Sequence, residues 1–364
     1  MASDFTYFQP VKVFFGDGKL ASLGEVLGEL GLSSAIIVCG PHFERNAEKI
    51  MAECSAVKAV WAGVEPNPQL SGAETAARLA REHKAEAIIG VGGGSSIDTA
   101  KFASAVALGD GCAQDYYNGR PFPEKRLAVI AVPTTAGTGS EVTQVSVMNN
   151  GEEKRTINNP AFMPRAAIVD SSLMLSVPPR TTMMTGLDAL SHALEGYWSR
   201  HHQPITDLYS VEAVRVILGN LQAAFENGSN AEARSNMAYA ALVAGMAFAQ
   251  SKTAGCHACS YPLSMNWHLP HGEACAFTLP AFVRANRDER LDELSRRAGL
   301  RDSEELAVRI EALRAMAGLR TRLSELGEVD VDKLASECAA HPLMRNNPVE
   351  MTPEKLAELF RTLA

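Results

Sequence analysis

The sequence predicts an α/β N-terminal domain built on a parallel, Rossmann-like sheet and an all-α C-terminal domain. Two observations carry that expectation. In the first half, short β-branched runs alternate with amphipathic helical segments, the pattern of a parallel sheet wrapped by helices. After Val177-Pro178-Pro179 the strand signals stop and helical periodicity takes over. The prolines divide the chain into residues 1–179 and 180–364, two packed domains with a cleft between them.

Residues 35–39, 87–91, 127–132 and 166–170 each read as a strand. Three of them run into loop chemistry at their C-terminal ends: Gly40-Pro41, Gly92-Gly93-Gly94 and Pro133-Thr134-Thr135. In doubly wound sheets that edge is where ligands bind. Residues 207–226, 231–250, 304–316 and 353–363 have helical periodicity. The most apolar stretch, 237–248, falls far short of the roughly 20 residues that span a bilayer and reads as a buried helix.

The chain has 364 residues, with 34 basic and 42 acidic side chains and a net charge of −8. That composition suits an ordinary globular protein of about two domains at roughly 150 residues each. The negative balance, with no long Lys/Arg run, gives no footprint for a nucleic acid or an anionic membrane, so neither partner is expected. Seven scattered cysteines are an odd number. The opening MASDFTYFQP lacks the basic head and apolar core of a signal peptide, so the expected setting is a reducing cytoplasm.

The segment Gly90-Val-Gly-Gly-Gly-Ser-Ser-Ile-Asp98 follows an apolar strand and opens a helix. Glycines let a backbone approach phosphate closely, and free amides at the helix start, with Ser95 as the expected cap, favour an anion. This is a candidate pyrophosphate cradle, so residues 1–179 are read as a dinucleotide-binding domain. A second loop, Pro133-Thr-Thr-Ala-Gly-Thr-Gly-Ser-Glu-Val-Thr143, is dense in hydroxyls that can hold phosphate, ribose or a carboxamide. Tight turns are the alternative for both. Neither fits the common dinucleotide fingerprint or a P-loop.

The metal signal lies in the helical half. Asp188 and His192 are four residues apart, which puts both side chains on one helix face. His257, in Gly255-Cys-His-Ala-Cys259, and His271, in Pro270-His-Gly-Glu273, sit among small residues where a backbone folds tightly. One carboxylate with three imidazoles suits Fe(II) or Zn(II) and leaves positions for a substrate oxygen. Cys256 and Cys259 form a lone Cys-x-x-Cys, for which a structural zinc or a redox pair is the competing reading.

Together these motifs resemble the iron-dependent (group III) alcohol dehydrogenase family, in the family's order. Gly16-Asp-Gly18, Glu65-Pro-Asn67-Pro68 and Asn347-Pro348 also match, so the resemblance covers nearly the whole chain. It implies a metal in the interdomain cleft on Asp188, His192, His257 and His271. It also implies contacts to NAD(H) or NADP(H) from Asn67, Gly92, Gly93, Gly94, Ser95, Asp98, Thr134, Thr135, Thr138 and Lys154. Its activity is hydride transfer between the nicotinamide and a small aldehyde or primary alcohol, with Fe2+ or Zn2+ as Lewis acid. The family also implies a homodimer.

Three positions depart from the family pattern. Tyr261 stands where many relatives have a proton-relaying histidine, leaving Tyr261, His268 or water for that step. Gly40 stands where NAD-preferring relatives place an aspartate, so a 2′-phosphate meets no carboxylate and NADP(H) is expected to be tolerated. Lys252 follows Phe248 in a run that the resemblance puts beside the substrate. There it would pair with the charge of a short anionic aldehyde such as sulfoacetaldehyde or phosphonoacetaldehyde; a solvated lysine at a helix end is the alternative. Other readings of the whole chain are a carbon-oxygen lyase of the dehydroquinate synthase type and a catalytically silent oligomer.

Overall fold

A computed structural model describes residues 4–151 and 153–363 of the chain. Strand and helix alternate first: β1 (Lys12–Phe15), α1 (Leu23–Glu29), β2 (Ala35–Cys39), α2 (Glu44–Glu53), β3 (Val57–Trp61), α3 (Leu70–Glu82) and β4 (Ala87–Gly92). Then come α4 (Gly94–Val106), α5 (Ala113–Tyr117), β5 (Ala128–Pro133), β6 (Val145–Asn150), β7 (Glu153–Asn158) and β8 (Ala166–Val169). The rest is helical: α6 (Pro179–Trp198), α7 (Pro204–Glu226), α8 (Ala231–Ser251), α9 (Gly255–Trp267) and α10 (His271–Ala285). It ends with α11 (Glu289–Arg297), α12 (Ser303–Met316), α13 (Val331–Ala340) and α14 (Pro353–Arg361).

Among the described residues, six strands form one parallel sheet in the order β1-β8-β5-β4-β2-β3. Its side chains alternate between two apolar layers, Ile36, Val38 and Ile88 in one and Ile37, Ile89 and Val91 in the other. Burial on both faces explains why β2 and β4 read as unbroken apolar runs.

Three of the strands that sequence patterning missed, β1, β3 and β7, have exposed positions, and β6 is half-buried at alternate ones. β1 and β3 are the sheet's two edges, and the antiparallel hairpin β6–β7 is rich in Asn, Glu, Lys and Arg. α7 starts at Pro204, earlier than its periodicity shows, because Gln203 N donates to Thr206 Oγ1 at 3.0 Å and caps the turn.

The chain resolves into two compact units. The sheet unit holds Gln9–Thr135 and Gly139–Met174; the helical unit holds Leu175–Ala364, Ala136–Thr138 and the N-terminal stretch through Phe8. The helical unit's apolar core joins α6, α7 and α8 through residues such as Leu187, Ala193, Ile217, Leu221 and Ala241. No helix among the described residues is long and apolar enough to cross a membrane.

Candidate active site

Helix α6 carries the first donors. Asp188, His192 and Glu195 recur at four- and three-residue intervals, so one face presents all three, each at most 5% exposed. The helix start is fixed from below by buried Arg234, which donates to Thr182 Oγ1 at 2.6 Å, Val177 O at 2.8 Å and Gly228 O at 3.0 Å.

Glu195 organises the next helix. Its Oε1 accepts backbone N–H groups from Ala254 at 3.1 Å, Cys256 at 2.6 Å and His257 at 3.3 Å, filling the unpaired donors at the start of α9. Its Oε2 lies in a short contact with His257 Nδ1. A proton shared there leaves His257 Nε2 to face the cluster, as in carboxylate–histidine–metal arrangements.

Helix α10 brings His271. Its first turn is tied down by buried Glu273, which accepts from Arg180 Nη2 at 2.9 Å, Arg320 Nε at 2.9 Å and Arg320 N at 3.0 Å. Gly272 lets α10 meet α6 backbone to backbone: a Cβ there would lie 2.3 Å from Met184 O. That approach sets His271 Nε2 3.7 Å from Asp188 Oδ1. His257 Nε2 is 3.8 Å from the same oxygen, and His192 Nε2 is 3.0 Å from His257 Nε2.

Asp188 Oδ1 is buried without a hydrogen-bond partner. Burial pushes this carboxyl up to about 6, with His257 pulling the other way. Burial, reinforced by His257 and His271, holds His192 well below its ordinary value, so its imidazole is neutral with a lone pair to give. An unpaired buried carboxylate among convergent imidazoles fits a divalent ion. The 3.0–3.8 Å spacings bracket about 3.4 Å, the edge of a tetrahedron with bonds of about 2.1 Å.

Among the described residues, the donors lying within 4.8 Å of one another are Asp188, His257, His271 and Cys275; the expected fourth ligand, His192, lies outside that set although its Nε2 is 3.0 Å from His257 Nε2. Cys275 was missed by sequence reasoning, although its signal, four residues after His271 on one helix, is the spacing that exposed Asp188 and His192. Glu195 was missed for want of an expected partner. Cys256 and Cys259 are buried free thiols outside that set.

Phe248 stacks on the His192 ring, centroids 4.2 Å apart and planes 14° off parallel. Lys252 caps α8 at φ 65° and ψ 161°, a region adopted essentially by glycine alone. Its flanks are clamped: Ser199 Oγ donates to Ser251 O at 2.5 Å, and Asn346 Nδ2 to Thr253 O at 2.8 Å. The exposed Lys252 also helps to lower His201, after burial. Tyr261 stacks on His341 at 4.4 Å, and burial followed by the charge of His257 lowers His341. His268 is exposed at the α9 C-terminus with φ 53°.

In the sheet unit, Gly92 turns the end of β4 at φ 149°, where a Cβ would strike Ser96 Oγ at 2.3 Å. The helix cap is Gly93 and not Ser95, which lies inside α4: the helix opens at Gly94, two residues earlier than a cap at Ser95 implies, and the cap has no side-chain bond. Thr134 N donates to Gly92 O at 3.0 Å, joining the two expected cofactor loops. Thr135 Oγ1 lies 3.3 Å from where a Gly93 Cβ would be. Lys154 on β7 reaches Asn67 Oδ1 at 3.5 Å, and Asn67 has φ 57°. Gly40 ends β2 ahead of a short 3-10 turn. Thr138 belongs to the helical unit.

Asp98 faces inward. Its Oδ1 accepts from Ser140 Oγ at 2.7 Å and its Oδ2 from Val147 N at 2.9 Å. Lys101, fully buried, donates to Ser140 Oγ at 2.7 Å, Val145 O at 2.8 Å and Thr143 Oγ1 at 3.3 Å.

A sheet unit with a glycine loop at the strand ends, and a helical unit with a carboxylate–imidazole cluster, fit an enzyme that works with a nucleotide and a divalent ion. Residues 10–171 match the iron-containing alcohol dehydrogenase family, and residues 182–364 match the C-terminal part of the Fe-containing alcohol dehydrogenase family. The chain belongs to this family and is an enzyme of its alcohol dehydrogenase and aldehyde reductase type, which decides against the lyase alternative. It is 41% identical over 291 residues to long-chain-alcohol dehydrogenase 1 of Geobacillus thermodenitrificans, 77% of this chain and 73% of that one. It is 33% identical to 1,3-propanediol dehydrogenase of Citrobacter freundii over 98% of both chains. The structure of sulfoacetaldehyde reductase from Bifidobacterium kashiwanohense in complex with NAD+ superposes with a TM-score of 0.95 and 38% identity, covering 100% of this chain and 99% of that one.

Proposed function

We propose that the enzyme interconverts short aldehydes and primary alcohols by hydride exchange with a nicotinamide dinucleotide, favouring substrates that carry a sulfonate or phosphonate. The observation that carries the anionic preference is Lys252, a non-glycine residue held at φ 65° and ψ 161° four residues after the phenylalanine stacked on His192. Backbone strain of this kind persists where the surrounding structure imposes it, and it concentrates at ligand sites. The likeness to sulfoacetaldehyde reductase supports the same class of substrate.

Asp188, His192, His257 and His271 would hold a divalent iron, with zinc as the alternative. When bound, such an ion acts as a Lewis acid that polarises a carbonyl and lowers the pKa of an alcohol. Glu195 orients His257, and Phe248 gives the substrate an apolar wall against water. Lys252 pairs with the anionic end and so fixes which end of the substrate points to the donor cluster. Tyr261, stacked on His341, is the proposed proton carrier, with exposed His268 as the alternative route.

The amides of Gly92, Gly93, Gly94 and Ser95 would receive the pyrophosphate, with Asn67, Thr134, Thr135, Thr138 and Lys154 around the rest of the cofactor; Asp98, whose two oxygens are taken by Ser140 and Val147, would brace that helix from within instead of touching the cofactor. The NAD+ complex of the sulfoacetaldehyde reductase supports NAD(H); Gly40 presents no carboxylate to a 2′-phosphate, so NADP(H) is included. A homodimer in the cytoplasm completes the proposal.

The test is NADH and NADPH oxidation by iron-loaded enzyme against matched neutral and anionic aldehydes, with Lys252→Ala alongside. A charged hydrogen bond worth about 1.5–3 kcal/mol predicts a loss of about 10- to 100-fold in kcat/KM on the anionic members. Neutral aldehydes should be little affected. An equal loss on both, or faster turnover of neutral aldehydes by the wild type, would overturn the anionic preference.

A further inference from the structure

We infer that Cys275 is itself a donor to the divalent ion, so that the site binds through a thiolate as well as a carboxylate and imidazoles. The inference rests on the reading that this cluster holds an ion. Cys275 is one helical turn after His271 on α10, and its sulfur is 3.8 Å from His271 Nε2. It belongs to the set whose donor atoms lie within 4.8 Å of one another. The thiol is fully buried and forms no disulfide.

A second observation points to a ligand at the same place. Asp188 is 2% exposed, and its Oδ1 has no hydrogen-bond partner although two of the set's imidazoles stand 3.7 and 3.8 Å away. A cation between these groups would answer the orphaned oxygen, and the sulfur borders the same space. Ligation replaces the S–H bond by a metal–sulfur bond, and the proton leaves to solvent.

X-ray absorption on the zinc-loaded full chain, with bound zinc measured separately, decides the matter without any variant. A sulfur scatterer at about 2.3 Å is expected beside nitrogen and oxygen at about 2.0–2.2 Å. In parallel, the cobalt-loaded protein should show a thiolate-to-cobalt charge-transfer band in the near-ultraviolet that disappears in Cys275→Ser and survives in Cys256→Ser. Zinc held by nitrogen and oxygen alone would overturn the inference and leave the metal site standing. Failure to retain any zinc or iron would overturn both. Should Cys275→Ser not fold, the wild-type absorption spectrum still reports whether sulfur is bound.

Discussion

Two of the buried charged clusters among the described residues differ in how complete they are. In the sheet unit, Lys101 spends its ammonium protons on Ser140, Thr143 and Val145, and both Asp98 oxygens accept protein donors. In the helical unit, Asp188 Oδ1 is left without a hydrogen bond among imidazoles. Burying a polar atom unpaired is costly, so a cluster that is satisfied internally reads as scaffold and one that is not reads as a receptor. Burial alone does not separate structure from function; the satisfaction of donors and acceptors does.

The contrast can be broken at either end. Lys101→Met should cost the most, about 3–5 kcal/mol in urea unfolding, because it leaves the Asp98 carboxylate buried without its cation. A cost below about 1 kcal/mol would make that network dispensable. Next, His257→Ala should lower kcat/KM by about a hundred- to a thousandfold in the metal-loaded enzyme, and it should also lower the stability of the metal-free chain by about 1–3 kcal/mol, because Glu195 Oε2 loses its partner.

Glu195→Gln sharpens the comparison, since this carboxylate is satisfied by backbone yet serves the unsatisfied cluster. Metal affinity should fall about 10- to 100-fold, read by chelator competition. A pH series separates the clusters further. Burial brings Lys101 down to about 8 from 10.5, so between those values the unfolded chain holds the extra proton. Stability should therefore rise with pH across that window relative to Lys101→Met, and a flat difference would contradict the assignment. The smallest effect is expected from Lys252→Gly: relief of backbone strain should stabilise the chain by about 1 kcal/mol while discrimination for anionic aldehydes is lost.

Much of this was legible from residue order. The strands of the sheet interior are apolar on both faces and announced themselves, whereas β7, with polar and exposed residues, and β6, which ends in two asparagines, carry no such pattern. The candidate donors could be picked out because Asp188 and His192 repeat at helical spacing and His257 and His271 sit among small residues. Cys275 follows the same arithmetic but looks like one more small apolar residue between Ala274 and Ala276. Lys101 was illegible for a different reason: lysine is almost never fully buried, and only the three-dimensional meeting of α4 with the Ser140–Val145 segment supplies its acceptors. The strain at Lys252 is a property of dihedral angles, which clamps at Ser199 and Asn346 impose from elsewhere in the chain.

Gly272 sits inside a helix at an ordinary φ, where alanine would suit the backbone better. Its missing methyl acts as a spacing gauge between two helices: any side chain would drive α10 off the Met184 carbonyl and carry His271 away from Asp188. The grip that the proposed site would have on an ion is thus set by a residue that donates nothing to it. A substitution there that raises helix propensity should loosen the metal, so selection for stability and selection for catalysis pull on this one position in opposite directions.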